Sequence, residues 1–229
     1  MSPRRRSAEG ASPVGARRAV LACALAWPWL PTAATRDYSQ AEQALFMSSH
    51  LANVRPPVTL HYRYVKGGSM EPGFEDRVTL KLTARADQPC CSANADFLSG
   101  SRRLALPEVE AAVGNPVLLY FLERDIREMS RITRGQQNYF RKRIRMAIYQ
   151  AAEMRELTLP YHGKNVAARQ FSVTPYVDDP LRERFAKLVG KRYTFTLADD
   201  VPGVVYAVAT QVDDQGGAPP LWIEEMTLL

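Results

Sequence analysis

The chain has 229 residues, 30 lysines and arginines against 24 acids, a formal charge of +6, and 46% hydrophobic residues. Its first 34 residues hold five arginines and one glutamate, so the remainder carries only about +2. That is too little for the basic face a nucleic-acid-binding domain keeps, and no nucleic-acid partner is expected. The length and apolar content suffice for one sizeable core.

The N-terminus reads as an address. Arg4, Arg5, Arg6, Arg17 and Arg18 with Glu9 form a basic stretch, Ala19 to Leu30 an apolar one, and Pro31-Thr32-Ala33-Ala34 supplies small residues. This order predicts a secretory signal cut after Ala34, with residues 1–34 a signal peptide and residues 35–229 a single periplasmic or secreted domain. A retained anchor is the alternative, but it needs about 20 apolar residues, and this core is shorter and carries Pro28 and Pro31. Reading Cys23 as a lipoprotein cysteine leaves too few apolar residues after Arg18. Arg17-Arg18 as a twin-arginine signal lacks the preceding polar residue and any cofactor motif downstream.

Ser39-Gln40-Ala41-Glu42 is a capping box, and a short helix over about Gln40–His50 should follow. Pro56-Pro57 ends that region. In Val58–Val65, apolar Val58, Leu60, Tyr62 and Tyr64 alternate with Thr59, His61 and Arg63, the period of a half-buried strand. Phe74–Thr83 is its partner across a glycine-rich turn, with Val78, Leu80 and Leu82 inward. A weaker strand spans Cys91–Leu98. Adjacent cysteines in a strand point to opposite faces. Cys91 is therefore expected buried and Cys90 half-exposed, both free, with a bridge between them or to another chain as alternatives. Neither has a Cys or His at ligand spacing, so no metal is expected.

The period then becomes helical. Pro107 opens a turn over Leu106–Val113, and Asn115-Pro116 places an N-cap before a proline at the first helical position. Leu118, Leu122, Ile126 and Met129 form an inward stripe, with Glu123–Arg127 and Arg124–Glu128 pairs expected outside. Gly135 should end this helix as a left-handed cap. A second helix over Gln136–Ala151 has Phe140, Ile144, Ala147, Ile148 and Ala151 on one face. Strands return at Arg155–Tyr161 and Val166–Pro175 around a His162-Gly163-Lys164-Asn165 loop. Asp179-Pro180 starts a capped helix with Leu181, Phe185 and Leu188 inward, and strands at Tyr193–Leu197, Val204–Val212 and Leu221–Leu229 follow. Strands, helices, then strands again predict an α+β domain: a mostly antiparallel sheet, open or half-barrel, covered by helices.

No catalytic motif appears. The chain has no Gly-x-Ser-x-Gly elbow, no His-Glu-x-x-His and no phosphate loop. His50, His61 and His162 stand isolated, and a base needs a positioned partner. An envelope enzyme using His61 or His162 with an acid brought near by the fold is the rival reading, and a structural partner in an envelope complex a third. Asp178-Asp179, Asp199-Asp200 and Asp213-Asp214 sit where caps and turns use acids. From Arg131 to Arg145 the chain holds Arg131, Arg134, Arg141, Lys142, Arg143 and Arg145 and no acid. Such a run is either a solvated helix face or a contact for anionic lipid or an acidic envelope partner.

Two stretches, Asn115-Pro116-Val117-Leu118-Leu119-Tyr120-Phe121-Leu122-Glu123-Arg124-Asp125 and Asn138-Tyr139-Phe140-Arg141-Lys142-Arg143-Ile144-Arg145, resemble uncharacterised exported bacterial proteins. The order of a capped helix, a hairpin, two helices and a strand-rich half resembles that of periplasmic lipoprotein carriers of the LolA/LolB type. That resemblance implies a curved sheet and helices enclosing an apolar cavity, with Leu118, Leu122, Phe140 and Ile144 facing an apolar or lipid-like ligand. With no cofactor motif in the chain, no cofactor is expected.

Overall fold

The structure, a computed structural model, describes residues 38–85, 90–214 and 216–229. The signal peptide expected over residues 1–34 lies outside the described residues. Among the described residues the alternating segments form nine strands: β1 (Val58–Gly67), β2 (Phe74–Ala84), β3 (Cys91–Phe97), β4 (Val109–Ala112), β5 (Glu153–Tyr161), β6 (Lys164–Val173), β7 (Arg192–Leu197), β8 (Val205–Val212) and β9 (Trp222–Leu228). They make one antiparallel sheet in the order β4-β3-β2-β1-β9-β8-β7-β6-β5. The last strand thus lies beside the first in the middle of the sheet. β4 and β5 remain as free edges, so the sheet is open and not a closed barrel. The β5–β6 turn is only His162-Gly163, both at positive φ (48 and 76), the conformation that matches the twist of a tight hairpin.

A chain leaving β4 at one edge must cross the whole sheet to enter β5 at the other. Helices α2 (Val117–Thr133) and α3 (Gln137–Ala151) make that crossing, which is why the helical period sits between two strand-rich halves. Leu118, Leu122, Ile126 and Met129 are buried as their spacing predicts, as are Phe140, Ile144 and Ile148. Ala151, expected on the same face, ends the helix exposed. Before α2, the turn α1 (Gln40–Glu42) carries the expected capping box: Ser39 Oγ accepts from the Glu42 amide, and Glu42 reaches back to the Ser39 amide.

The structure corrects several local expectations. The helix expected to His50 is a single α-turn that widens into a π-turn at Gln43–Met47 and restarts as a 3₁₀ turn at His50–Asn53. Residues 109–112 pair with β3 as a strand rather than turning, because Cys91 and Ala93 offer an otherwise unpaired edge. The left-handed cap of α2 is Arg134 (φ 59), one residue before Gly135. The helix expected after Asp179 is a 3₁₀ run, Arg182–Leu188, broken at Ala186 (φ 48), although Asp179 Oδ1 does cap it at the Leu181 amide, 2.7 Å. Cys90 and Cys91 are joined to each other, the alternative to two free thiols.

Arg124 also departs from expectation. It points inward, is buried, and pairs with Glu224 Oε1 at 2.6 Å. It belongs to a charged layer beneath α2. Across the sheet, Phe74, Lys66, Glu224, Thr210, Tyr193 and Val173 stand opposite one another strand by strand. This row meets Arg124 and Asp125 from the helix. Lys66 Nζ lies 4.2 Å from the Trp222 ring centroid and Lys191 Nζ 4.7 Å from it. Three buried cations, Lys66, Arg124 and Lys191, thus share the layer with Asp125 and Glu224, and Glu71 and Glu128 approach Lys66 from the rim. Pairing of this kind is what allows charges to be held out of water.

Candidate functional site

The helix layer carries an apolar groove of about 740 Å³. One wall is Leu45, Phe46 and Met47 from the π-turn; another is β4 and the loop through Pro116. The floor is Leu118, Leu122 and Ile126 of α2 with Ile144 and Ile148 of α3. The walls are tied down locally. Ser39 Oγ donates to the Ile148 carbonyl at 3.3 Å, fixing the N-terminal turn to the end of α3. Buried His50 accepts the Asn115 amide proton on Nδ1 (3.2 Å), so its Nε2 carries the proton given to the Ala44 carbonyl (2.7 Å). Asn115 in turn donates to Tyr62 Oη and the Gly203 carbonyl and accepts from the Val117 amide. Burial holds the His50 imidazole below its ordinary pKa, against the opposing pull of its Ala44 bond.

Four large apolar side chains on the groove are exposed to water: Tyr38, Met47, Val113 and Leu119, the last at 58%. Of the residues the resemblance pointed to, Leu118, Leu122 and Ile144 line the groove. Phe140 does not; it is fully buried and packs edge-on to Tyr176 and against Phe185. The walls from residues 45–47 and 109–113 and the exposed Leu119 were missed. Leu119 had a signal: it is apolar but falls one position off the Leu118–Leu122–Ile126 stripe.

The six basic residues of the 131–145 segment divide. Arg131 pairs with Glu71 and Glu128, Arg141 with Glu123 (2.8 Å), and Arg143 with Asp179 (2.6 Å) and the Pro175 carbonyl. Arg134, Lys142 and Arg145 have no ionic partner among the described residues. Arg141 and Arg145 line the groove. His61 and His162 are exposed; His162 packs on Tyr161, and neither is hydrogen-bonded to an acid among the described residues. The described residues contain no cluster of three metal-ligating groups, and none of their helices is long and apolar enough to cross a membrane.

No protein-family model matches the chain, and no curated protein matches it in sequence. Among solved structures it is similar to the Mycobacterium tuberculosis lipoprotein LppX, with a TM-score of 0.35 and 10% identity over 82% of this chain and 93% of that chain. A likeness of that size carries no argument about ligand or kinship.

Proposed function

We propose that the domain is an exported cell-envelope binding module that holds an apolar, lipid-like chain in the groove over α2 and α3. One observation carries this reading: a groove of about 740 Å³ walled by aliphatic side chains, with Met47, Val113 and Leu119 still facing water. Ligand sites commonly enclose roughly 300–1,000 Å³ with mostly apolar walls and few polar groups. Covering exposed apolar surface releases about 25 cal/mol per Å², so a bound acyl chain and the groove would stabilise each other. The basic and then apolar N-terminal 34 residues support the envelope location.

The test is binding of a fluorescent fatty-acyl ester, a neutral probe, to delipidated protein. Saturable uptake is expected, abolished by Leu119→Asp, where the side chain is exposed and folding should survive, and by Leu122→Asp. Well-folded wild-type protein that takes up no probe overturns the reading. The location is tested separately by N-terminal sequencing of exported protein, expected to begin at Thr35.

A further inference from the structure

We infer that the groove selects an anionic amphiphile, an apolar chain ending in a carboxylate or phosphate, and that Arg145 receives the head. The inference rests on the apolar-groove reading above and adds the ligand's charge and its polar contact. Four charged side chains, two of each sign, line the groove: Glu42, Glu123, Arg141 and Arg145. Three are already committed. Glu42 Oε2 accepts the Ser39 amide at 3.2 Å as half of the capping box. Glu123 and Arg141 lock each other, with Arg141 Nη2 at 2.9 and 2.8 Å from the two carboxylate oxygens and Nε at 3.1 Å from one of them. Arg145, one helical turn beyond Arg141, is exposed and has no ionic partner among the described residues.

The groove therefore presents one guanidinium with neither an ionic nor a hydrogen-bond partner among the described residues, while Glu42 keeps its charge but is held at the N-terminal turn by the Ser39 amide. A head group placed at Arg141 would face the carboxylate of Glu123, whereas Arg145 has no carboxylate paired with it among the described residues. A guanidinium offers a planar fork of donors that matches a carboxylate or phosphate two bonds at a time. Its aliphatic stem can lie along the apolar floor made by Ile144 and Ile148 while the charged end stays wet. An amphiphile is thereby satisfied at both ends, whereas an alcohol gains only the chain contacts and a cationic head is repelled. Arg134 and Lys142 are also unpaired but do not line the groove, which makes them internal controls.

The experiment is displacement of the neutral acyl-ester probe from purified protein by hexadecanoate, hexadecyl phosphate, hexadecanol and hexadecyltrimethylammonium, each kept monomeric. The two anions should displace the probe about tenfold better than the alcohol, and the cation worst. Arg145→Gln should level the anions with the alcohol, each read against that variant's own probe affinity, and Arg134→Gln, away from the groove, should change neither. Inorganic phosphate should not displace the probe, because the chain must be attached to the head. Equal displacement by anion and alcohol in wild-type protein overturns the inference and leaves the apolar groove standing. Anion preference that survives Arg145→Gln also overturns it, since the head then sits elsewhere. Failure of the probe itself to bind removes both readings together.

Discussion

Lys191 Nζ meets Asp125 Oδ1 in the core, 66 positions apart in the chain, with both side chains closed off from water. Tyr193 donates to the other oxygen of Asp125 at 2.6 Å, and Tyr176 is hydrogen-bonded to Tyr193 at 2.9 Å. Helix α2 is thereby fixed to the entry of β7 by polar contacts as well as by its apolar stripe. Removing one member of a buried pair strands the other, at a cost of about 3–5 kcal/mol. Lys191→Met should therefore destabilise strongly. Adding Asp125→Asn, which keeps an acceptor for Tyr193, should recover part of the loss. Urea unfolding of both single variants and the double variant gives the coupling. Additive losses would mean the two side chains are neighbours without being partners.

His50 makes stability depend on pH. Its folded-state pKa is lowered from 6.5, so near neutral pH it is uncharged in both states. As pH falls below 6.5 the unfolded chain takes up the proton first, and stability declines until the folded-state pKa is passed. The proton would also occupy Nδ1, which accepts the Asn115 amide, so one buried hydrogen bond is lost in the same step. Glu224 runs the opposite way: burial raises its pKa from 4.5, against the pull of Arg124, so its contribution is present below 4.5 and fades as pH rises through the folded value. Urea midpoints between pH 7.5 and 5.5 should fall in wild-type protein and stay flatter in His50→Asn, which is less stable throughout. An unchanged slope in the variant would place the titrating group elsewhere.

Much of this fold is legible from period alone. The strands from Val58 to Thr83 and the stripe Leu118–Leu122–Ile126–Met129 follow from which residues must leave water. The charged layer was not legible, although its trace is there. Lys66 continues the inward alternation Leu60–Tyr62–Tyr64, and Glu224 interrupts Trp222–Met226–Leu228 at an inward position. Alternation says only that such a residue faces the core; the partner that makes Glu224 tolerable, Arg124, comes from a helix a hundred residues away, and Lys66 draws Glu128 from the same helix. The groove was half legible for the same reason. The α2 and α3 floor is periodic, but the wall at residues 45–47 depends on a π-turn, and no local pattern announces that. Likewise, counting charges between Arg131 and Arg145 shows no acid, because Glu71, Glu123 and Asp179 arrive from other elements.

Arg143 and Lys142 separate a structural cation from a solvated one. Arg143 approaches Asp179, whose side chain is closed off from water and also accepts from Tyr139 at 2.6 Å. Arg143→Ala leaves that carboxylate short of a partner, a loss of about 1–3 kcal/mol. Lys142→Ala, on the exposed side of α3, should stay within about 0.5 kcal/mol of wild type. Thermal unfolding of the two variants decides it. Equal, small effects would return Arg143 to the surface-charge class. For anionic vesicles the consequence is weak binding by the 131–145 segment: each free basic side chain at such a surface is worth about 1 kcal/mol, and of that segment's six only Arg134, Lys142 and Arg145 lack an ionic partner among the described residues.

Arg134 and Gly135 have exchanged the roles their identities suggest, and that yields the sharpest stability prediction. Arg134 is exposed and sits in the left-handed region at φ 59, where an L-residue with a Cβ is strained by roughly 1–2 kcal/mol. Gly135 has no positive φ. It is small because a Cβ there would lie 2.7 Å from Phe140 Cζ and 2.9 Å from Cε2, on a ring wedged against Tyr176 and Phe185. Arg134→Gly should therefore stabilise the protein even though it shortens a side chain. The gain is about 1 kcal/mol at most, since glycine also loosens the unfolded chain, and corresponds to a rise of about 2–4 °C in Tm. Gly135→Ala should do the reverse, costing about 1–3 kcal/mol as the Phe140 ring is forced from its packing. Both variants leave the groove untouched, so probe binding should be retained at temperatures where they remain folded. If Gly135→Ala proved neutral while Arg134→Gly destabilised, glycine would be needed at neither position for these reasons, and the helix would end by some other contact.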